Sequence, residues 1–219
     1  MTRRPTRLLT TVVAGTAAVL LLAGCGGSDS GSKANDKIAG ADTGGETSAS
    51  PSASASASGN RPEITFAADA KNVFEDQKTG DAKKDAVLAD SALSVNSLDQ
   101  AIFEASTGTK ALGFYNKGKA LNKAITYVQG YIDKNDTWIG TTRYFDRAVT
   151  LSGSSEAYVT YCSDESKSFL KNRKTGKVEN TPTTSDSYVL YHAKLSKNSE
   201  GVWQTTDIVS NRGDKACQP

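Results

Sequence analysis

Between Asp81 and Ile132 apolar residues recur at three- and four-residue steps; beyond Thr137 they tend to alternate with polar ones. The first pattern is that of amphipathic helices and the second that of half-buried strands. Leu88, Ala92, Val95, Leu98 and Ile102 form one stripe of a helix that Asp81 is placed to cap and Thr107-Gly108 to stop. A second helix is predicted from Lys110 to Asn135-Asp136, with Phe114, Leu121, Ile125, Val128 and Ile132 on one face. Gly118 falls on that face and suggests close approach of another backbone. Ahead of both helices, Ile64 and Phe66 suit a docked extended piece. Ala68 to Asp76 predicts a short helix with Val73 and Phe74 inward.

Four strands follow on the alternation. Thr141–Leu151 and Glu156–Ser163 flank the turn Ser152-Gly153-Ser154-Ser155, and Ala157, Val159 and Tyr161 share a face of the second strand. Asp164 to Asp186 predicts a long polar connection, with Lys174-Thr175-Gly176-Lys177 as the tip of a small hairpin. Ser187–Lys197 carries Val189, Tyr191, Ala193 and Leu195 on one face, Asn198 to Gly201 turns the chain, and Val202–Ser210 is the last strand. Helices followed by an antiparallel meander predict an α+β domain, with two long N-terminal helices packed on a curved four-stranded antiparallel sheet.

The N-terminus has a different pattern. Arg3, Arg4 and Arg7 precede an uncharged apolar run from Leu8 to Leu22. That run is about 15 residues, short of the roughly 20 that span a bilayer. Basic, apolar and then small residues is the order of a cleaved signal peptide. Leu22-Ala23-Gly24-Cys25 resembles the lipobox of bacterial lipoproteins. The resemblance implies that Cys25 becomes the first mature residue and carries a diacylglyceryl anchor on the outer face of the cell membrane. Two acyl chains suffice for stable attachment where one does not. Gly26 to Asn60, rich in Ser, Ala and Gly, cannot bury enough apolar area to offset its conformational entropy. As a random coil it would hold the folded domain about 30–35 Å from the membrane. The expected organisation is therefore a signal peptide at 1–24, a lipidated cysteine with a disordered tether at 25–60, and one α+β domain at 61–219.

Cysteine usage fits this layout. The chain has 3 cysteines; lipidation of Cys25 leaves Cys162 and Cys217, which outside the cytoplasm are expected to form a disulfide. In the meander the second and fourth strands run the same way, so Cys162 and Cys217 are expected at the same end of the sheet. The bridge would stabilise by about 3–4 kcal/mol on the chain-entropy model. The net charge of the whole chain is only +2, and from Arg61 onward charges nearly cancel. No general attraction to nucleic acid follows. With 1 histidine and no metal-spaced carboxylate cluster or phosphate-binding glycine loop, no metal or cofactor is expected.

Two long helices, hairpin strands and a final Gly201-Val202-Trp203-Gln204 strand resemble the nuclear-transport-factor-2-like superfamily. Together with Gly140 to Asp146, Tyr161 to Lys167 and Lys174 to Lys177, they resemble a group of small secreted lipoproteins of high-GC Gram-positive bacteria to which no activity is assigned. The resemblance spans roughly Pro62 to Cys217. It implies a cone-shaped domain whose helices and curved sheet can enclose a pocket, in a superfamily that includes both enzymes and non-catalytic binding modules.

Few residues suggest chemistry. Asp146 with Tyr144, and Asp207 near Trp203, are the candidate carboxylate and tyrosine of a pocket enzyme of the isomerase or cyclase type. Arg143 and Arg147 flank the first pair, which a surface ion pair would also explain. His192 is expected opposite the apolar face of its strand, as a surface histidine rather than a general base. Lys167, Lys171, Arg173, Lys174 and Lys177 surround Phe169-Leu170. That segment could dock a protein or an anionic envelope polymer, or be a solvated loop. The leading expectation is a lipid-anchored, extracytoplasmic, non-catalytic binding or assembly module. The alternatives are the pocket enzyme and a structural spacer of the envelope.

Overall fold

The computed structural model describes residues 60–219; the expected signal peptide, Cys25 and the tether up to Gly59 lie outside the described residues. Among the described residues no helix is long and apolar enough to cross a membrane. The order of elements is β1 (Ala70–Phe74), α1 (Ala82–Phe103), α2 (Lys110–Tyr115), α3 (Gly118–Lys134), β2 (Asp136–Ser152), β3 (Glu156–Asn172), β4 (Val178–Glu179), β5 (Tyr188–Lys197) and β6 (Trp203–Arg212). Short 3-10 turns cover Ser185–Ser187 and Lys215–Cys217. The domain is α+β, with its helices against one mixed sheet ordered β1-β2-β3-β5-β6 and β4 paired to β3.

The structure departs from the expected four antiparallel strands in three places. Ala68 to Asp76 holds a strand rather than a helix: β1 pairs in parallel with β2, Ala70 opposite Gly140 and Phe74 opposite Tyr144. Its inward positions are Asn72 and Phe74, and Phe74 stacks on Tyr144 with ring centroids 4.7 Å apart. Local alanine content favours a helix there, but the pairing and the stack override it. The second departure is that β3 runs on to Asn172 through residues expected to be a loop. Ile139 faces Phe169 and Trp138 faces Leu170 across the β2–β3 ladder, so the polar composition of Asp164 to Ser168 did not end the strand. Third, β4 is a strand added to the expected four: it pairs with β3 and closes the small hairpin whose tip the sequence places at Lys174 to Lys177.

The first helix is capped as expected: the Asp81 carboxylate accepts from the Lys83 and Lys84 amides. Half of its residues are buried, including Asp90, Ser91, Ser94 and Ser97 beside the apolar stripe and Asp99 within it. The expected second helix is two. Lys117 lies between α2 and α3, its amide donates to the Thr205 carbonyl of β6 at 2.8 Å, and Gly118 takes φ +57. A Cβ at Gly118 would meet the Thr206 carbonyl at an ordinary 3.7 Å, so the left-handed backbone and not crowding favours glycine. The break rotates α3, whose buried face is Ala120, Ala124 and Val128; Ile125 is exposed. Asn135, left-handed, ends α3.

Gly140 is a different case. Its φ is +95 and a Cβ there would run into the Lys167 carbonyl of β3, so β2 and β3 approach too closely for any side chain. Cys162 and Cys217 are bonded, with Cα atoms 5.6 Å apart across 55 residues of sequence. The bridge pins the C-terminal turn to β3, on the side opposite Tyr161. The helices and the sheet bury a core around Leu88, Val159, Leu195 and Trp203 and a second around Ile102, Leu112, Val128 and Trp138. Between them the two layers do not close.

Candidate functional site

The gap is a cavity of about 440 Å³. Helices α1 and α3 form one wall, and the inward faces of β2, β3, β5 and β6 form the other. A volume in this range suits a small organic ligand.

Asp99 is the central charged group. It lies one helical turn from Val95 and Ile102, so the apolar stripe of α1 carries a carboxylate into the cavity wall. Asp99 is only 7 % exposed. One of its oxygens, Oδ2, accepts from Asn72 Nδ2 at 2.6 Å, and Oδ1 accepts from the Trp138 indole N–H at 3.1 Å. Both donors are neutral. Among the described residues no lysine, arginine or histidine pairs with it. Burial therefore pushes its pKa up to about 7, against the two hydrogen bonds and with a smaller contribution from the nearby Glu165 charge.

Tyrosines and Trp138 share the remaining wall with aliphatic, hydroxyl and charged side chains. Tyr161 stacks on Tyr191 at 4.9 Å, and Tyr144 meets Tyr161 edge-on at 6.0 Å. Burial holds the hydroxyls of Tyr144, Tyr161 and Tyr191 well above their ordinary pKa, so they remain hydrogen-bond donors. The Trp138 indole packs against Phe66 and Phe103 behind Asp99. At the β3–β6 side Arg212 Nη1 donates to Glu165 Oε2 at 2.8 Å, and the Ser163 hydroxyl donates to the other oxygen. Beside α3, Lys123 donates to Asp207 at 2.8 Å.

A second polar cluster anchors this wall. Ser94 donates to the Asn116 side-chain oxygen at 2.8 Å, and Asn116 Nδ2 donates to Ser97 and to the Leu112 carbonyl. These buried bonds fix α1 to the α2–α3 break and keep the helical wall at a set distance from the sheet.

The residues expected to carry chemistry fall in different places. Tyr144 lines the cavity. Asp146 does not share its face: a bulge between Phe145 and Ala148 interrupts the alternation, Asp146 takes φ +50 and is exposed, and Arg147 turns inward instead. Arg147 donates to Gln77 Oε1, the Leu88 carbonyl and the Ser91 hydroxyl, which ties the bulge to α1. Burial lowers its pKa to about 10. Asp207 sits at the surface, held by Lys119 and Lys123. His192 is exposed on the outer sheet face beside Thr160. In the basic segment, Lys171 pairs with Asp69 at 2.9 Å. Arg173 donates to the Ile102 and Phe103 carbonyls, capping the C-terminus of α1. Lys167, Lys174 and Lys177 are exposed; Phe169 is half-buried over Gly140 and Leu170 is 37 % exposed.

Sequence reasoning missed Asp99, Trp138 and the Tyr161–Tyr191 stack as parts of one site. The available signal was Asp99 itself, a carboxylate at helical spacing within an apolar stripe.

No family model matches the chain, and no curated protein matches it. Several solved structures are similar to part of it. A ketosteroid isomerase-like protein from Erwinia carotovora atroseptica is 14% identical over 56% of this chain and 92% of its own, with a TM-score of 0.35. A proposed ketosteroid isomerase from Shewanella frigidimarina is 10% identical over 59% and 98%, with a TM-score of 0.34. The intermembrane space region of the chloroplast protein ARC6 is 10% identical over 62% and 99%, with a TM-score of 0.36.

Proposed function

We propose that the domain is a small-ligand binding module of the nuclear-transport-factor-2-like type, non-catalytic, and carried on the outer face of the cell membrane by lipid on Cys25. The observation behind the binding reading is the cavity: about 440 Å³, walled by tyrosines and Trp138, with one buried carboxylate. A concave site of this size with aromatic walls and convergent polar groups is the usual make-up of a ligand site. The membrane placement rests on the Leu22-Ala23-Gly24-Cys25 motif and the basic, apolar segment before it.

The test of binding is a neutral environment-sensitive naphthalene dye added to the full chain. A blue-shifted emission is expected, and Ala193→Phe, which places a ring in the cavity from β5, should abolish it. No shift with the native chain refutes the reading. For the anchor, Cys25→Ala should move the protein from the membrane fraction to the soluble fraction. A variant that stays membrane-bound refutes it.

The pocket enzyme survives in a changed form. Asp146 and Asp207 are outside the cavity, but Asp99 is inside it beside tyrosine hydroxyls. A carboxyl group with a pKa of about 7 can exchange a proton at neutral pH. Asp99 is, however, held by Asn72 and Trp138 through both oxygens, which suits fixed recognition better than transfer of a proton to a substrate. Turnover of any carbonyl substrate that Asp99→Asn eliminates would favour the enzyme.

A further inference from the structure

The charges around the cavity do not balance. Arg212 reaches the cavity and already has Glu165 as its partner at 2.8 Å. Lys123 reaches it and already has Asp207 at 2.8 Å. Asp99 alone among the carboxylates lining the cavity lacks a counter-ion within the described residues; its partners are an amide and an indole. Contrast Asp90, on the same helix and as deeply buried, which is neutralised by Arg61 at 2.5 Å. The fold thus supplies a cation to one buried carboxylate of α1 and withholds it from the other, and the one left over faces an open cavity.

The rest of the wall suits the same kind of guest. Trp138, which donates to Asp99, lines the cavity together with Tyr144, Tyr161 and Tyr191, and aromatic rings attract a cation placed over a free face. A carboxylate has about four lone-pair sites, so two accepted bonds leave room for a donor from a ligand.

From this arrangement we infer that the ligand is an organic amine whose ammonium group pairs with Asp99 while its apolar body lies among the cavity tyrosines. The inference rests on the binding reading above and adds to it the charge of the ligand. A neutral or anionic ligand would leave Asp99 either ionised without a partner or protonated, and an anion would add a like charge beside it.

The experiment compares three probes of one shape: 2-phenylethylamine, 2-phenylethanol and 3-phenylpropionate. Each is titrated into the ¹⁵N-labelled full chain at about pH 8, where Asp99 is mostly ionised. The Trp138 indole N–H signal reports on the bond to Asp99, and calorimetry gives the affinity. The amine is expected to bind about ten- to a hundredfold tighter than the alcohol, the range of a charge-assisted hydrogen bond over a neutral one. The carboxylate should bind most weakly. Asp99→Asn should remove the preference for the amine, while Asp69→Asn, which loses only the surface partner of Lys171, should keep it. If Asp99→Asn does not fold, the order of the three probes on the native chain still decides.

An alcohol or carboxylate that binds as tightly as the amine overturns the inference and leaves the binding reading standing. An amine preference that persists in folded Asp99→Asn also overturns it. If no probe moves the Trp138 signal or releases heat, the binding reading falls along with the inference.

Discussion

Replacing Asp99 by Asn should change how stability depends on pH more than it changes stability itself. The carboxyl group has a folded-state pKa of about 7 against an ordinary 3.8. Between these values the folded protein keeps a proton that the unfolded chain has released. Stability therefore falls as pH rises through that window, by up to about 1.4 kcal/mol per pH unit. Integrated over roughly three units, the ionised group costs the native state about 4 kcal/mol by pH 8. From about pH 5 to pH 8 the loss is about 2–3 kcal/mol. The asparagine of the variant has no such titration. It has one acceptor oxygen for two donors, Asn72 and Trp138, so the variant loses about 1–3 kcal/mol at every pH. The two stability curves should thus cross: the variant is less stable near pH 4 and as stable as the native chain, or more so, near pH 8. Urea unfolding of both proteins in half-unit pH steps measures this, provided the slopes against urea agree. Asp69, Asp85, Asp207 and Asp214 are held below the ordinary value by their hydrogen bonds. They contribute stability above their unfolded pKa that is lost as pH falls, and they do so equally in both proteins, so the difference cancels them. Curves that run parallel from about pH 5 to pH 8 would refute the placement of an unneutralised carboxylate in the cavity wall.

Other perturbations test the frame around the site. Asp90 accepts from Arg61 and from the Trp203 amide, joining the first described residues to α1 and β6. Asp90→Ala should cost about 2–3 kcal/mol by urea unfolding, at the lower end for a broken buried pair because Arg61 is 28 % exposed and can reach water. A loss below about 0.5 kcal/mol would mean the pair contributes no more than a surface ion pair. Replacing both Cys162 and Cys217 by Ala should lower stability by about 3–4 kcal/mol. The same shift should follow from reductant in the native chain and be absent in the double variant; reductant acting equally on both would count against the bridge.

Much of the architecture is legible in the sequence. The stripe from Leu88 to Ile102, the cap at Asp81, the turns at Gly153 and Gly201 and the inward faces of β3 and β5 follow from period and turn chemistry. So does the disulfide, from the cysteine count and the expected extracytoplasmic compartment, although Cys162 lies within β3 rather than at its end. What was not legible depends on tertiary contact. β1 is written in helix-tolerant residues and is a strand because β2 offers an edge and Tyr144 a ring to stack on. The break at Lys117 is made by a bond to β6, far downstream in the chain.

The site itself was hidden by the same kind of effect, and this explains which residues were misplaced. A period-two reading puts Asp146 beside Tyr144, but two residues in the bulge at Asp146-Arg147 reverse inside and outside, so one irregularity removes the expected carboxylate from the cavity. A period-3.6 reading discards Asp99 as a polar interruption of the α1 stripe. It belongs there only because Asn72 and Trp138, on strands before and after the helices, converge on it with one donor each. Neither donor is adjacent to Asp99 in sequence, and neither neutralises it. A buried carboxylate satisfied in hydrogen bonds but not in charge works against the stability of the fold, and such groups concentrate where function requires them. The strongest functional signal of this domain is therefore a residue that its own local pattern marks as a mistake.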